Sequence, residues 1–202
     1  MIATLIFDLG NVLVFYDEKK MIRQLAAVSQ LDQNKVREIL YNSGFGERHE
    51  KGLLSAQDYY THFCTVAGRK LPFDQLIEAT SAIFAPNEEL ISCLPVFKKK
   101  KIRLLLLSNT CDIHFEYILK KYPFFHHFDH LTLSYKVGAR KPEKEIYQHA
   151  LNGAECSAQE CLFIDDLMEN IQGAQTIGIP SHHFVDTKGF LSHLAEKGIT
   201  IK

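Results

Sequence analysis

The chain has no CxxC pair, no low-complexity stretch and no apolar run approaching the roughly 18 residues that would span a bilayer. It also lacks charge excess. With 23 Lys and Arg against 24 Asp and Glu, the net charge is −1, which provides no global field to draw in nucleic acid or an acidic membrane surface. The one basic cluster, residues 98–101, falls where a helix should end before an apolar strand, a position that favours cations. It reads as a solvated helix end. Five scattered cysteines, an odd number, do not make a disulfide framework, so a reducing, cytoplasmic setting is expected. The N-terminal stretch MIATLIFDLGNVLVF lacks a basic leader region and carries Asp8 at its centre, so it reads as a buried strand and not as a signal peptide. With 46% hydrophobic and 23% charged residues, the 202-residue chain has the make-up of a globular protein large enough for a core domain and a modest insertion.

IATLIF (2–7) is a short continuous apolar run that ends at Asp8, the pattern of a strand buried on both faces of a parallel sheet. IRLLLLSN (102–109), CLFIDD (161–166) and IPSHHFV (179–185) look alike, and HLTLS (130–134) is a shorter candidate. Helical patterns over 87–98, 111–121, 143–152 and 168–177 separate them, which argues for an open α/β sheet. The stretch 17–84 differs. Its apolar residues recur at helical spacing (Met21, Ile22, Leu25; Val36, Ile39, Leu40; Tyr59, Tyr60, Phe63; Leu76, Ile77), and Asp17, Asp32 and Ser55 stand where N-caps belong. The expected organisation is a Rossmann-like parallel-sheet core over 1–15 and 86–202, with an inserted helical cap over 16–85.

Polar residues gather at the C-terminal ends of the predicted strands, the edge at which open α/β sheets bind ligands. They are Asp8 with Gly10 and Asn11, Ser108 with Asn109, Lys141 before Pro142, and Asp165 with Asp166. Carboxylates, a hydroxyl, backbone N–H groups and one ammonium suit a hard cation together with a phosphate, because clustered carboxylates alone would repel an anionic substrate.

The segments FDLGN, LLSNT, ARKP and FIDDLMENI resemble, in order and spacing, the four motifs of the haloacid dehalogenase-like hydrolase superfamily. The likeness extends over essentially the whole chain. The FDLGNV opening and ARKPEKEIYQHAL look closest to bacterial phosphatases of the glucose-1-phosphatase kind. The resemblance implies a Mg2+-dependent phosphatase acting through an aspartyl-phosphate on a small phosphorylated metabolite. Asp8 would be the nucleophile, and Asp8, the Gly10 carbonyl and Asp166 would hold the metal. Asp165 would support them, in a role it could exchange with Asp166. Ser108 and the Asn109 N–H would bind phosphoryl oxygens, Lys141 would neutralise charge, and Asn170 would orient a water or the loop. One departure stands out: most phosphatases of that superfamily carry an aspartate two residues after the nucleophile as general acid and base, where this chain has Gly10. That loss favours leaving groups needing little protonation, such as a sugar 1-phosphate. Arg48, His49 and Glu50, in the expected cap, are candidates to reach over the site and contact substrate.

Two rival functions remain. A 2-haloacid dehalogenase would need no acid at position 10, but it would have no use for the paired acids at 165 and 166. A phosphate-binding regulatory protein with weakened catalysis is favoured only by Gly10. His126, His127 and His130 resemble a metal-binding tract but read as loop packing, and His182 and His183 read as strand residues. No histidine pairs with Cys111 in the sequence, so a thiol nucleophile is not expected.

Overall fold

The four long apolar runs become parallel strands of one sheet, and HLTLS supplies a fifth. In the computed structural model, which describes residues 2–42 and 44–201, the strands are β1 (Thr4–Phe7), β2 (Val14–Tyr16), β3 (Phe84–Pro86), β4 (Arg103–Ser108), β5 (His130–Leu133), β6 (Cys161–Asp165) and β7 (Ser181–His183). The large sheet runs β5-β4-β1-β6-β7 with every neighbouring pair parallel. Alternate side chains point to opposite faces. Leu5, Phe7, Leu104, Leu106 and Ile164 pack with Phe97 and Phe190 on one side. Ile6, Leu105, Leu107 and Phe163 pack with Ile146 and Tyr147 on the other. Both faces are covered, which is why these strands read as unbroken apolar runs instead of alternating ones.

Between β2 and β3 lie the helices Glu18–Ser29, Gln33–Arg37, Phe45–Glu50, Ala56–Ala67 and Phe73–Ser81, with a π-helical turn at Glu38–Asn42. The three anticipated N-caps all form. Asp17 accepts from the Lys20 N–H, Asp32 from those of Asn34 and Lys35, and Ser55 closes a capping box with Asp58. Ile22, Leu25, Val36, Phe63 and Leu76 give this insert its own apolar cluster, to which the core contributes Cys111 and Ile113. The two crossings between insert and core run side by side, because β2 and β3 pair antiparallel, Val14 opposite Pro86 and Tyr16 opposite Phe84.

Some local expectations shift. The helix read over 87–98 is two, Glu88–Ile91 and Leu94–Lys99, because Pro95 has no N–H to continue a helix and sits instead in the first turn of the second. The run read over 179–185 is a strand only at Ser181–His183. The basic cluster does end a helix, and Lys98 pairs with Asp129 at 2.6 Å. His126 and His127 lie in a 3-10 turn, and His130 opens β5 at the sheet edge opposite the strand C-termini. His182 stacks on His193.

Insert and core backbones approach tightly at Gly52. Its φ is +68°, and a Cβ there would lie 2.1 Å from the Tyr135 carbonyl oxygen, an overlap with backbone that no rotamer relieves. Gly68 shares the positive φ (+65°) but has nothing within 4 Å of its would-be Cβ. Gly68→Ala should therefore cost about 1–2 kcal/mol, the left-handed penalty alone, and Gly52→Ala clearly more. Urea unfolding of both variants measures the difference, and equal midpoints would contradict the close approach.

Candidate active site

Asp8 follows the last residue of β1, the central strand, and its position is fixed by the ladder: its N–H donates to the Ile164 carbonyl at 2.9 Å. Its Oδ1 accepts from the Leu9 N–H at 2.7 Å and pairs with Lys141 Nζ at 2.7 Å. Lys141 also donates to Asp165 Oδ2 at 2.7 Å and to the Leu107 carbonyl at 3.1 Å, so all three ammonium hydrogens are used, and the residue is 2% exposed. The lysine is set in place by a reciprocal pair with Asn109. Lys141 N–H donates to Asn109 Oδ1 at 2.7 Å, and Asn109 Nδ2 donates to the Lys141 carbonyl at 2.9 Å. The Asn109 side chain is thus engaged in holding the lysine loop, and only its backbone is left for a ligand.

Asp165, the last residue of β6, is fully buried and also accepts from the Leu167 N–H and from Asn170 Nδ2. Asp166 is more open, and Asn11 Nδ2 donates to its Oδ2 at 3.0 Å. Asn11 reaches it from a left-handed backbone (φ 54°), a conformation asparagine tolerates better than most residues. His183, at the end of β7, hydrogen-bonds the Asp166 carbonyl through Nε2.

Burial is the largest influence on Asp8 and, with Asp165 beside it, pushes its pKa up to about 7 against the pull of Lys141. Burial alone would lower the pKa of Lys141, but the two carboxylates outweigh it and hold it above the usual lysine value. Carboxylate oxygens of Asp8, Asp165 and Asp166 all lie within 4.8 Å of one another, with one ammonium among them. Three acids against one cation leave an excess of negative charge, and the donors are all hard oxygens. Asn170 Oδ1 is buried with no partner among the described residues. The residues present therefore fit a small divalent cation such as magnesium.

A cavity of about 270 Å³ lies beside this cluster, lined on the core side by Leu9, Gly10, Ser108 and Asn109, the chain neighbours of the clustered groups, and on the other by the helical insert. Of the expected site residues, Asp8, Lys141, Asp165 and Asp166 converge, and Gly10, Ser108 and Asn109 border the cavity. His49 and Glu50 line it from above, whereas Arg48 is exposed and stays outside its lining. Sequence reasoning missed Tyr16 and Asp112. Tyr16 projects from the β2–β3 ribbon so that its ring lies 3.5 Å from where a Gly10 side chain would begin.

A family model for haloacid dehalogenase-like hydrolases matches residues 2–178. The chain belongs to that family. It is therefore a hydrolase, similar over 189 residues (26% identity, 90% of this chain and 89% of the other) to a sesquiterpene phosphatase of Aspergillus oryzae. It is 28% identical over 188 residues (88% and 89%) to a D-ribitol-5-phosphate phosphatase of Bacteroides thetaiotaomicron. A crystal structure of a HAD family enzyme from the same bacterium, in complex with magnesium and inorganic phosphate, superposes with a TM-score of 0.82 at 27% identity, covering 94% of this chain and 99% of that one. No helix among the described residues is long and apolar enough to cross a membrane.

In this hydrolase three consecutive insert residues tie down onto the core. His49 Nε2 meets Asp112 Oδ1 at 2.6 Å, Glu50 meets Arg140 at 3.0 Å, and Lys51 meets Glu143 at 2.7 Å. Asp112 also accepts from the Ala56 N–H of the insert. The expectation that Cys111 has no histidine near it is corrected: the insert brings His49 beside both Cys111 and Asp112, ligand atoms within 4.8 Å. The pairing crosses 62 positions of chain, and nothing local announces it.

Burial disfavours charge on His49, but hydrogen bonds to Asp112 and Cys111 outweigh it and raise its pKa to about 9 from 6.5. A histidine whose folded pKa is raised stabilises fully below the unfolded value and loses that contribution as pH climbs through the folded one. The fold should therefore lose stability, on the order of 1–3 kcal/mol, between about pH 6.5 and 9. Melting temperature measured against pH for the wild type and His49→Gln tests this. A wild-type slope no steeper than that of the variant would refute it.

Proposed function

We propose that this hydrolase is a magnesium-dependent phosphatase that cleaves phosphomonoesters through an aspartyl-phosphate on Asp8, with the helical insert as its cap. The observation that carries the reading is the buried Lys141 ammonium shared between Asp8 and Asp165 at 2.7 Å each, beside a third carboxylate. The charge arrangement suits a transferring phosphoryl group, whose negative oxygens need cations and N–H donors on all sides. A dehalogenase would have no use for the acids at 165 and 166, and the relatives named above as phosphatases weigh the same way.

An Asp8 oxygen attacks phosphorus, the P–O bond to the alcohol breaks, and the alkoxide departs with its electron pair and takes a proton. Water then attacks the acyl phosphate, releasing inorganic phosphate and restoring the carboxylate. Lys141 neutralises charge on Asp8 and on the group in transit. Ser108 and the Asn109 N–H hold phosphoryl oxygens. Asp8, the Gly10 carbonyl and Asp166 would hold magnesium, with Asp165 supporting through Lys141 and Asn170. When bound, the ion supplies positive charge that draws an anionic substrate to an acidic site and offsets charge build-up on phosphorus.

Gly10 gives no acid to protonate the departing oxygen, which favours esters whose alcohol leaves with little help; on leaving-group chemistry alone a sugar 1-phosphate and an aryl ester both qualify. The two phosphatase relatives are named for a ribitol ester and for a sesquiterpene one, so likeness alone does not choose between a polyol and a hydrocarbon.

Two measurements test the chemistry. Asp8→Asn should remove at least about 10³-fold of the magnesium-dependent turnover of p-nitrophenyl phosphate, with no phosphorylated protein trapped by acid quench. A variant that keeps wild-type turnover would end the aspartyl-phosphate reading. Gly10→Asp has room for its Cβ, which meets only the Tyr16 ring at ordinary contact distance. It should raise turnover of simple alkyl phosphates by up to about 10²-fold and leave p-nitrophenyl phosphate nearly unchanged. Equal gains on both substrates would contradict a missing acid.

A further inference from the structure

We propose that the organic part of the ester is a small hydrocarbon-rich alcohol, aliphatic or aromatic, and not a sugar or polyol. This rests on the phosphatase reading above and names the substrate class that the cavity selects.

The cavity beside the phosphoryl site is walled by Met21, Leu40, Phe45, Ile83, Phe84 and Ile118. Most of its polar side chains are already engaged within the protein. His49 is held by Asp112 and Glu50 by Arg140. The Thr80 hydroxyl donates to the Leu76 carbonyl and approaches the Tyr59 hydroxyl at 3.2 Å. Tyr41 bonds Glu18. Among the described residues, Glu50 Oε2 and His114 Nε2 are lining atoms without a hydrogen-bond partner, although Glu50 keeps its ion pair with Arg140, and burial holds the His114 ring below the usual histidine pKa.

A polyol brings a hydroxyl on nearly every carbon. Each would be stripped of water against aliphatic and aromatic walls and would find few free donors or acceptors, too few for a hydroxyl on every carbon, which is costly. A hydrocarbon group leaves water favourably in the same space and asks for no such partners. The volume, about 270 Å³, sits just under the ~300–1,000 Å³ of ordinary ligand pockets, which suits a single ring or a short branched chain and not a nucleotide.

The test compares wild-type kcat/KM, with magnesium, on primary alkyl phosphates whose leaving groups match: 2-phenylethyl and 3-methylbutyl phosphate against ribitol 5-phosphate and glucose 6-phosphate, with glucose 1-phosphate alongside. The apolar esters are expected to lead by about 100-fold. A lead below tenfold, or preference for any sugar or polyol ester, overturns the proposal. Met21→Gln should cut the ratio of 2-phenylethyl to ribitol ester about tenfold. That ratio is read within one preparation, so loss of folded protein cancels, and an unchanged ratio counts against the cavity as the selecting feature. Acetyl phosphate, whose acyl group asks little of the cavity, reports on phosphoryl chemistry separately. Should it too be inert, the phosphatase reading fails, and the preference is then measured by calorimetry with 2-phenylethanol and ribitol. Tighter binding of the first upholds the apolar cavity, and equal or weaker binding overturns it.

Discussion

The site is organised around one buried ammonium held between two carboxylates. Removing Lys141 from water costs several kcal/mol, and that cost is offset only because Asp8 Oδ1, Asp165 Oδ2 and the Leu107 carbonyl take all three of its hydrogens. Each partner comes from a different strand of the sheet: Asp8 follows β1, Asp165 closes β6, and Leu107 lies in β4. The parallel register, Phe7 opposite Leu106 on one side and Ile164 on the other, brings these three chain segments level. Without that alignment the lysine would be a stranded charge. The sheet therefore serves the site as a ruler, and its apolar faces supply the stability that lets three acids and a base crowd together at one edge.

That sheet was legible because its signal is local. An apolar run that stops at an Asp or a Ser-Asn pair reports both a buried strand and its functional end, and the four motifs follow from those ends. The N-caps at Asp17, Asp32 and Ser55 were equally local. What escaped depends on distant partners. β2 and β3 are three residues each, exposed on part of their length and ended by Pro86, and only their mutual pairing makes them strands. From sequence the Asn109 backbone N–H has a role and its side chain none, yet that side chain is committed to Lys141, 32 residues on. His49 reads as a substrate contact, yet its Nε2 belongs to Asp112. Polar residue types could be placed near the site from sequence, but their hydrogen-bond allegiances could not.

Gly10 and Tyr16 belong to one local arrangement. The Tyr16 ring stands beside Gly10, 3.5 Å from where a side chain would begin, an ordinary contact distance. The phenol is not an equivalent replacement for a carboxylic acid. Burial and the neighbouring Asp166, Glu18 and Asp8 charges raise its pKa, while an Asn11 hydrogen bond acts the other way. It stays protonated and gives up its proton reluctantly, which leaves the departing oxygen dependent on its own stability or on water.

The insert's attachment to the core suits a site that must both close and reopen. Its three ion pairs land on Asp112, Arg140 and Glu143, which flank the Ser108-Asn109 and Lys141 segments, so docking of the insert and placement of the phosphoryl-binding groups are mechanically linked. Two of these pairs are about one-third exposed and are worth little individually. The third is nearly dry on the histidine side and is reinforced by the Ala56 N–H. The insert is thus joined to the core by one firm polar contact and two weak ones, beside the apolar contacts of Cys111 and Ile113. In the proposed cap, such a balance would let the site close without sealing it.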